Sequence, residues 1–184
     1  MDNTVLLLLT GATIAVLAAI VLFVPALCPK ISKLSLVLAT MGLAVVVVCV
    51  LYQVFGRYVL NNTPTWAEAF AMVVILFVTM LGTAVGVRDA GHIGMESLLA
   101  LCPQPYKRWL EIFIHCSVAS FGAFMAYGGS FMILQNLDHR IPTLPLPEAA
   151  NYLPITIGGI LICLFSFEHV VALIKGTEVK PSWH

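Results

Sequence analysis

The sequence predicts an all-α integral membrane protein. Of its 184 residues, 60% are hydrophobic and only 10% are charged, whereas soluble domains carry roughly 25% charged residues. The mean hydropathy is +1.00. Apolar runs of about 20 residues, the length that an α-helix needs to cross a bilayer, follow one another along the chain. About five such helices nearly fill the sequence, which leaves no room for a soluble catalytic domain. We therefore expect a protein that is not an enzyme.

Charge and cysteine content argue against other classes of function. The formal net charge is zero, and without a basic patch the chain is not expected to bind nucleic acid. The five cysteines contain no Cys-x-x-Cys pair, so neither a disulfide framework nor a thiol-oxidising membrane enzyme is expected. The sequence predicts no catalytic, substrate-binding or metal-binding residues and no cofactor. The protein is expected to contact the lipid bilayer. The cysteines, interpreted as small apolar side chains, are Cys28, Cys49, Cys102, Cys116 and Cys163.

The first apolar run, Thr4 to Leu27, is predicted to be a retained spanning helix. It is preceded by Asp2, whereas a cleaved signal peptide begins with basic residues. Residues 1–30 are accordingly set apart as an extra N-terminal transmembrane helix. The second span is predicted from about Leu34 to Phe55. Its stretch Val45 to Val48 alone would suit a strand, but the length of the apolar run favours a helix.

A short polar turn joins the second span to the third. Asn61, Asn62 and Pro64 supply turn and helix-stop chemistry. Thr65 is predicted to cap the third helix, with Glu68 at the third helical position as in a capping box. The two spans are therefore expected to form a hairpin.

Aromatic and charged residues flank this turn. Tyr58 and Trp66 are expected at the same membrane interface, where Trp and Tyr are enriched. Arg57 lies about one turn before the end of its helix, at a depth similar to that of Glu68. An unpaired charge there is costly, so the two side chains are expected to pair or to share a polar interface. Docking of a soluble protein, or steering of an anionic solute, is the alternative role for Arg57.

The third span is predicted from about Trp66 to Val87. Gly82 and Gly86 are four residues apart on one face of this helix, a spacing that lets another helix approach closely. The residues that follow, expected to form the helix end and to lock the hairpin, are Arg88, Asp89 and His92.

Two further spans follow an interfacial segment. His92 to Cys102 is too short to span and mixes apolar with polar residues, so it is predicted to be an amphipathic helix on the membrane surface. The fourth span is predicted from about Tyr106 to Leu134 and the fifth from about Ala149 to Ile174. Between them, the proline-rich stretch Asn136 to Glu148 is expected to be an extended segment lying on other helices. Residues 176–184 are predicted to be a short cytoplasmic tail.

The order and spacing of these features resemble the small membrane subunit of tripartite ATP-independent periplasmic (TRAP) transporters, the DctQ type. The resemblance covers roughly Ile31 to Lys175. It departs at Ala69, where the family often has a second acidic residue, and in the N-terminal helix, since the family usually has four spans. The residues that carry it are Gln53, Val54, Arg57 and Tyr58; Trp66 and Glu68; Leu81, Gly82, Ala84 and Arg88; His92 and Ile93; Pro142 to Pro147; Tyr152 to Pro154; and Gly158 and Gly159.

The resemblance implies a scaffold that pairs with a large permease subunit of the DctM type. In that family the large subunit carries the substrate and sodium sites and moves as an elevator. A periplasmic binding protein delivers a carboxylate-bearing solute. The candidate structural or subunit-interface residues are then Arg57, Trp66, Glu68, Arg88 and His92.

The distribution of cations predicts the orientation. With five spans, seven of the nine Lys and Arg residues fall on one side, which the positive-inside rule places in the cytoplasm. The C-terminus is then cytoplasmic and the N-terminus periplasmic, in a bacterial inner membrane. The cytoplasmic cations are Lys30, Lys33, Arg88, Lys107, Arg108, Lys175 and Lys180, and the other two are Arg57 and Arg140.

Polar residues inside the last two spans leave alternatives open. Glu111 and His115 share a helix face, and Glu168 and His169 lie at a comparable depth. They are interpreted as hydrogen-bonded to one another at the helix ends, with a proton relay or ligand cluster as the alternative. His115 and His169 could also be axial haem ligands, in a haem- or quinone-binding anchor of a redox complex. An autonomous transporter would show internal repeats and broken helices, which we do not find.

Overall fold

The computed structural model describes residues 10–12, 27–62, 64–89, 104–176 and 179. These residues form four long helices, each with a stretch long and apolar enough to cross a membrane. The predicted all-α membrane fold is confirmed. The helices are α1 (Leu27–Tyr58), α2 (Thr65–Asp89), α3 (Gln104–Gln135) and α4 (Leu153–Lys175), and a short 3-10 helix, Glu148–Asn151, precedes α4.

The second to fifth predicted spans correspond to α1 to α4. The predicted N-terminal span lies outside the described residues apart from residues 10–12 and Leu27, which are helical, and the predicted interfacial helix from His92 to Cys102 lies outside them altogether. Helix α1 begins at Leu27 rather than near Leu34, so the expected boundary between residues 30 and 31 falls inside it. Pro29 is accommodated there because a first-turn residue needs no helical N–H partner.

Helix α2 begins one residue earlier than predicted. Thr65 is itself helical, and the backbone N–H of Ala67 donates to the carbonyl of Pro64 at 3.0 Å. Pro64 therefore occupies the N-cap position, where Thr65 was expected, and the predicted Thr65 cap is wrong. The Glu68 side chain does not return to the helix start as a capping box requires, because it is bonded to Gln53 on α1.

The four described helices form two antiparallel hairpins that meet side by side. Helix α1 packs on α2, α2 on α4, and α4 on α3, which gives the spatial order α1, α2, α4, α3. Helix α4 is the most enclosed, with 44% of its apolar stretch buried, against 11% for α1. A small apolar core lies where α1, α2 and α4 meet, and its buried residues are Cys28, Ala84, Ile162, Leu164 and Phe165.

Helices α3 and α4 approach closely at Gly122 and Gly159. A Cβ atom placed on Gly122 would lie 2.9 Å from the Gly159 carbonyl oxygen, and one on Gly159 would lie 2.6 Å from the Ala126 nitrogen. Any side chain at either position would collide with backbone, so the two glycines permit this contact. Close packing at Gly82 and Gly86 is not made by the described helices, since no described atom lies within 4 Å of a Cβ placed on either, and it stays a prediction.

The proline-rich connection between α3 and α4 folds back on itself. The Ile141 N–H donates to the Leu146 carbonyl at 3.0 Å, and the Glu148 N–H donates to the His139 carbonyl at 2.8 Å. Arg140 and Pro147 form an isolated antiparallel bridge across the loop. The predicted extended segment is therefore wrong, because backbone groups that the prolines leave available pair within the loop itself.

We expect Gly122→Leu to destabilise the protein by about 1–3 kcal/mol, because the larger side chain would overpack the contact between α3 and α4. Gly128→Leu on the same helix is the matched control, since no described atom lies within 4 Å of a Cβ placed on Gly128. Thermal unfolding of the two variants in mild detergent, followed by size-exclusion chromatography, checks this. Equal melting temperatures would contradict the assigned contact.

Candidate functional site

Polar side chains from all four described helices, buried except for the half-buried Glu168, meet at one end of the four-helix arrangement. The contributing segments are the start of α1, the end of α2, the first half of α3 and the last turns of α4. We call this group the polar cluster, and it consists of Ser32, Arg88, Asp89, His115, Glu168 and His169. The same end carries five exposed or half-buried cations, Lys30, Lys33, Lys107, Arg108 and Lys175.

Arg88 lies at the centre of the polar cluster. Its Nε and Nη2 donate to the two carboxylate oxygens of Glu168 at 2.9 and 3.0 Å. Its Nη1 donates to Oδ1 of Asp89 at 2.7 Å. The two-pronged contact with Glu168 is strong because the planar guanidinium matches the geometry of a carboxylate. With its side chain only 2% exposed, Arg88 is an ionised group held inside the protein by two acids.

Asp89 connects Arg88 to helix α1. The Ser32 hydroxyl donates to Oδ2 of Asp89 at 3.1 Å, and both groups are buried. The hydrogen bonds thus run without interruption from Ser32 through Asp89 and Arg88 to Glu168, across α1, α2 and α4. Loss of any member would leave a buried polar or charged group without its partner, which is far more costly than loss of an exposed pair.

Two histidines, His115 and His169, connect helix α3 to the polar cluster. Nε2 of His169 lies 2.9 Å from the carbonyl oxygen of Arg88. A carbonyl only accepts, so Nε2 carries the proton in this contact. This carbonyl belongs to the last turn of α2, where backbone acceptors lack partners within the helix. The ring of His115 on α3 stacks on that of His169, with centroids 4.5 Å apart and planes at 4°.

The stacked geometry does not fit a haem held between the two histidines. Axial ligands direct one ring nitrogen each at the same iron from opposite sides. The rings of His115 and His169 instead lie face to face, and the lone pairs of their nitrogens lie in the ring planes, so they are not aimed at a common point between them. Nε2 of His169 is also engaged by the carbonyl of Arg88. The structure gives no support to the redox hypothesis.

A second polar contact lies at the opposite end of α1 and α2. The Gln53 amide donates to Oε2 of Glu68 at 3.0 Å, and the rings of Tyr52 and Trp66 lie 5.8 Å apart. Within the described residues Glu68 is thus bonded to Gln53 and forms no ion pair with Arg57. Opposite charge made Arg57 the expected partner of Glu68. Gln53 takes that place because it lies one turn deeper on α1, opposite Glu68.

The structure separates the predicted candidate residues into two places. Arg57, Trp66 and Glu68 lie at the end with the short turn, and the Arg57 guanidinium lies 5.9 Å from the centroid of the Tyr58 ring. Arg88 lies at the opposite end, and His92 lies outside the described residues. Ser32 was missed by sequence reasoning, because the predicted second span began near Leu34 and Ser32 lies inside the helix only when it begins at Leu27.

The fold and the polar cluster define a multi-pass membrane protein in which hydrogen bonds and the Arg88–Glu168 ion pair join the described helices. The sequence matches the family model described as tripartite ATP-independent periplasmic transporters, DctQ component, over residues 46–176. That range includes most of the polar cluster and all of α2, α3 and α4. The chain belongs to this family, the small permease subunits of TRAP transporters.

Three curated relatives share modest identity with the chain. The sialic acid TRAP transporter small permease protein SiaQ of Vibrio cholerae is 20% identical over 125 residues, which are 67% of this chain and 72% of SiaQ. The C4-dicarboxylate TRAP transporter small permease protein DctQ of Rhodobacter capsulatus is 27% identical over 118 residues, 63% of this chain and 52% of that protein. The chain therefore spans only about half the length of the second relative.

A third relative is a much longer protein. The sialic acid TRAP transporter permease protein SiaT of Haemophilus influenzae is 29% identical over 66 residues, which are 36% of this chain but 11% of SiaT. A stretch similar to this chain thus lies within a longer permease polypeptide.

We expect Arg88→Leu to cost about 3–5 kcal/mol of stability, because it leaves the buried Asp89 carboxylate and the half-buried Glu168 carboxylate without their cation. Arg57→Leu is the matched control, since Arg57 is exposed and its loss should cost under about 0.5 kcal/mol. Thermal unfolding in detergent measures both effects.

The double variant Arg88→Leu with Glu168→Leu separates the ion pair from general packing. Removing both charges should recover part of the loss, since the coupling energy of contacting residues is about 0.5–3 kcal/mol. Strictly additive losses would contradict a direct interaction between the two side chains.

Proposed function

We propose that this chain scaffolds a separate large permease subunit of the DctM type in the bacterial inner membrane. The complex would take up a carboxylate-bearing solute, driven by an ion gradient, with a periplasmic binding protein that delivers the solute. The solute and ion sites would lie on the large subunit.

The observation that carries this proposal is that the buried charged side chains of the described helices bind one another. The donors of Arg88 are directed at Glu168 and Asp89, both within this chain, so they hold helices together. Solute sites in secondary transporters lie near the midplane between interrupted helices. Helices α1, α2, α3 and α4 are each continuous as described. A structural role therefore accounts better for the buried ionised groups than a transport site does.

The shape of the helix layer also favours a partner. Most residues in the apolar stretches of α1, α2 and α3 are not buried within the chain, the buried shares being 11%, 22% and 17%. These surfaces must contact lipid or other membrane helices. A flat assembly of this kind can support a larger protein along one side, which is the role that a scaffold requires.

The names of the relatives support the finer parts of the proposal. SiaQ is named for sialic acid and DctQ for C4-dicarboxylates, and both kinds of solute carry carboxylate groups. The permease protein SiaT contains a stretch similar to this chain within a longer polypeptide, which supports close association with a large permease.

The positive-inside rule supports an orientation with the polar cluster at the cytoplasmic side. The cations near that end, among them Lys30, Lys33 and Lys107, outnumber Arg57 and Arg140 at the other. The turn around Asn61 and the loop from Asn136 to Pro147 would then face the periplasm, where the binding protein acts.

Reconstitution of transport tests the proposal. We expect uptake of a carboxylate-bearing solute into proteoliposomes only when this chain, the large permease and the binding protein are all present. This chain alone, and the large permease alone, are the controls. Uptake by this chain alone, or a large permease that works equally well without it, would contradict a scaffold role.

A further inference from the structure

Arg108 joins the start of α3 to the end of α4. Its Nη2 donates to the carbonyl oxygen of Ile174 at 3.0 Å. This carbonyl lies in the last turn of α4, where backbone acceptors lack partners within the helix. Helix α4 ends at Lys175, and Gly176 follows in the left-handed conformation with φ of 69°. The hydrogen bond thus holds the guanidinium between two helix ends, while the Arg108 side chain stays exposed.

Two further cations lie at the same place. Lys107 precedes Arg108 on α3 and is half-buried, and Lys175 follows Ile174 on α4 and is exposed. We call these three residues, Lys107, Arg108 and Lys175, the basic junction. Among the described residues both ion pairs belong to Arg88, so no described acid forms an ion pair with the junction. Its positive charge is therefore available to an anion.

Aromatic residues indicate the depth of the basic junction in the membrane. Tyr106 and Trp109 flank Lys107 and Arg108 in the first turns of α3, and they are 67% and 72% exposed. Trp and Tyr side chains prefer the level of the lipid headgroups. Phe113, also exposed, follows one turn deeper on the same helix face as Trp109 and suits the hydrocarbon below. The junction therefore lies at the level of phospholipid phosphates.

The cations at the start of α1 lack this combination of features. Lys30 and Lys33 are exposed at the same end of the protein, but both belong to one helix. The first two turns of α1, Leu27 to Leu34, contain no Trp or Tyr. Positive charge is thus common to both places. A guanidinium that is held between two helix ends and flanked by interfacial aromatic residues distinguishes the basic junction.

We propose that the basic junction binds the phosphate headgroup of an anionic phospholipid. The guanidinium of Arg108 has five N–H donors, of which the contact with Ile174 uses one, and the others can bind phosphate oxygens. The ammonium groups of Lys107 and Lys175 add charge that attracts anionic lipid. A lipid is favoured over a free anion because the flanking aromatic residues place the junction at headgroup depth. This inference does not depend on the proposed function and adds lipid recognition to it.

Fluorescence quenching by brominated lipids tests the assignment at the junction itself. Trp66→Phe with Trp183→Phe leaves Trp109 as the only tryptophan of the three in the chain. This chain is reconstituted in phosphatidylcholine vesicles that contain brominated phosphatidylglycerol or brominated phosphatidylcholine at the same mole fraction. We expect stronger quenching of Trp109 by the brominated phosphatidylglycerol. Equal quenching by the two lipids would overturn the inference.

Variants separate a defined site from general attraction of anionic lipid. The two quenching curves give the relative binding constant of phosphatidylglycerol over phosphatidylcholine. Arg108→Gln should lower this constant by about fivefold, the effect of one cation near an anionic surface. Lys33→Gln is the matched control, since it removes the same charge at the same end of the protein, and it should leave the constant unchanged. An equal loss in both variants would contradict a site at the junction.

A double variant guards against a folding defect. Arg108→Gln also removes the hydrogen bond to Ile174, whereas Lys107→Gln with Lys175→Gln leaves that bond in place. The double variant should likewise lower the relative binding constant, and an unchanged constant would show that the junction does not recognise the headgroup.

Competition distinguishes a lipid headgroup from a free anion. Inorganic phosphate is added to the vesicles and compared with sodium chloride at the same ionic strength, because salt screens exposed charges. The two salts should leave the quenching of Trp109 by phosphatidylglycerol equal. If phosphate displaces the brominated lipid, the junction is a site for free anions and the assignment to lipid is wrong.

Discussion

The guanidinium of Arg88 is the group on which the arrangement of the described helices depends. Between membrane helices the hydrophobic effect provides little attraction, because lipid chains are as apolar as the side chains they would replace. Association therefore relies on close packing and on polar contacts. Arg88 supplies the polar part, since its donors reach Glu168 on α4 and Asp89 on α2. Asp89 in turn accepts from Ser32 on α1.

Close packing supplies the other part, and it is distributed differently. Gly122 and Gly159 bring α3 against α4 away from the charged end, where the Cys163 thiol of α4 donates to the Ala119 carbonyl of α3 at 3.0 Å. The stacked rings of His115 and His169 add a contact between the same two helices at the level of the polar cluster. The hairpin of α1 and α2 is closed at its other end by Gln53 and Glu68. Each helix pair thus combines a packed region with a polar one.

Much of this fold could be predicted from the sequence, because span length and hydropathy are local properties. The four described spans and the end at which most cations gather follow from them. Contacts between helices could not be predicted in the same way. Gly82 and Gly86 have the four-residue spacing that favours close helix packing. Among the described helices, however, Gly122 and Gly159 make the close contact. Which glycines do so depends on which helices are neighbours. Glu68 likewise accepts from Gln53 and not from Arg57, because Gln53 lies at the depth of Glu68 when α1 and α2 pack together. The role of Ser32 required its position opposite Asp89.

The distance along the chain between Arg88 and Glu168, 80 residues, has a consequence for biosynthesis. A ribosome that adds about 5–20 residues per second needs roughly 4–16 s to pass from one to the other. During that interval the acidic partner of Arg88 within the first hairpin is Asp89, which is made at the same time. The ion pair with Glu168 forms only once α4 has been inserted. A chain truncated before α4 would therefore lack the acceptor of two Arg88 donors, Nε and Nη2, and with it the ion pair between α2 and α4.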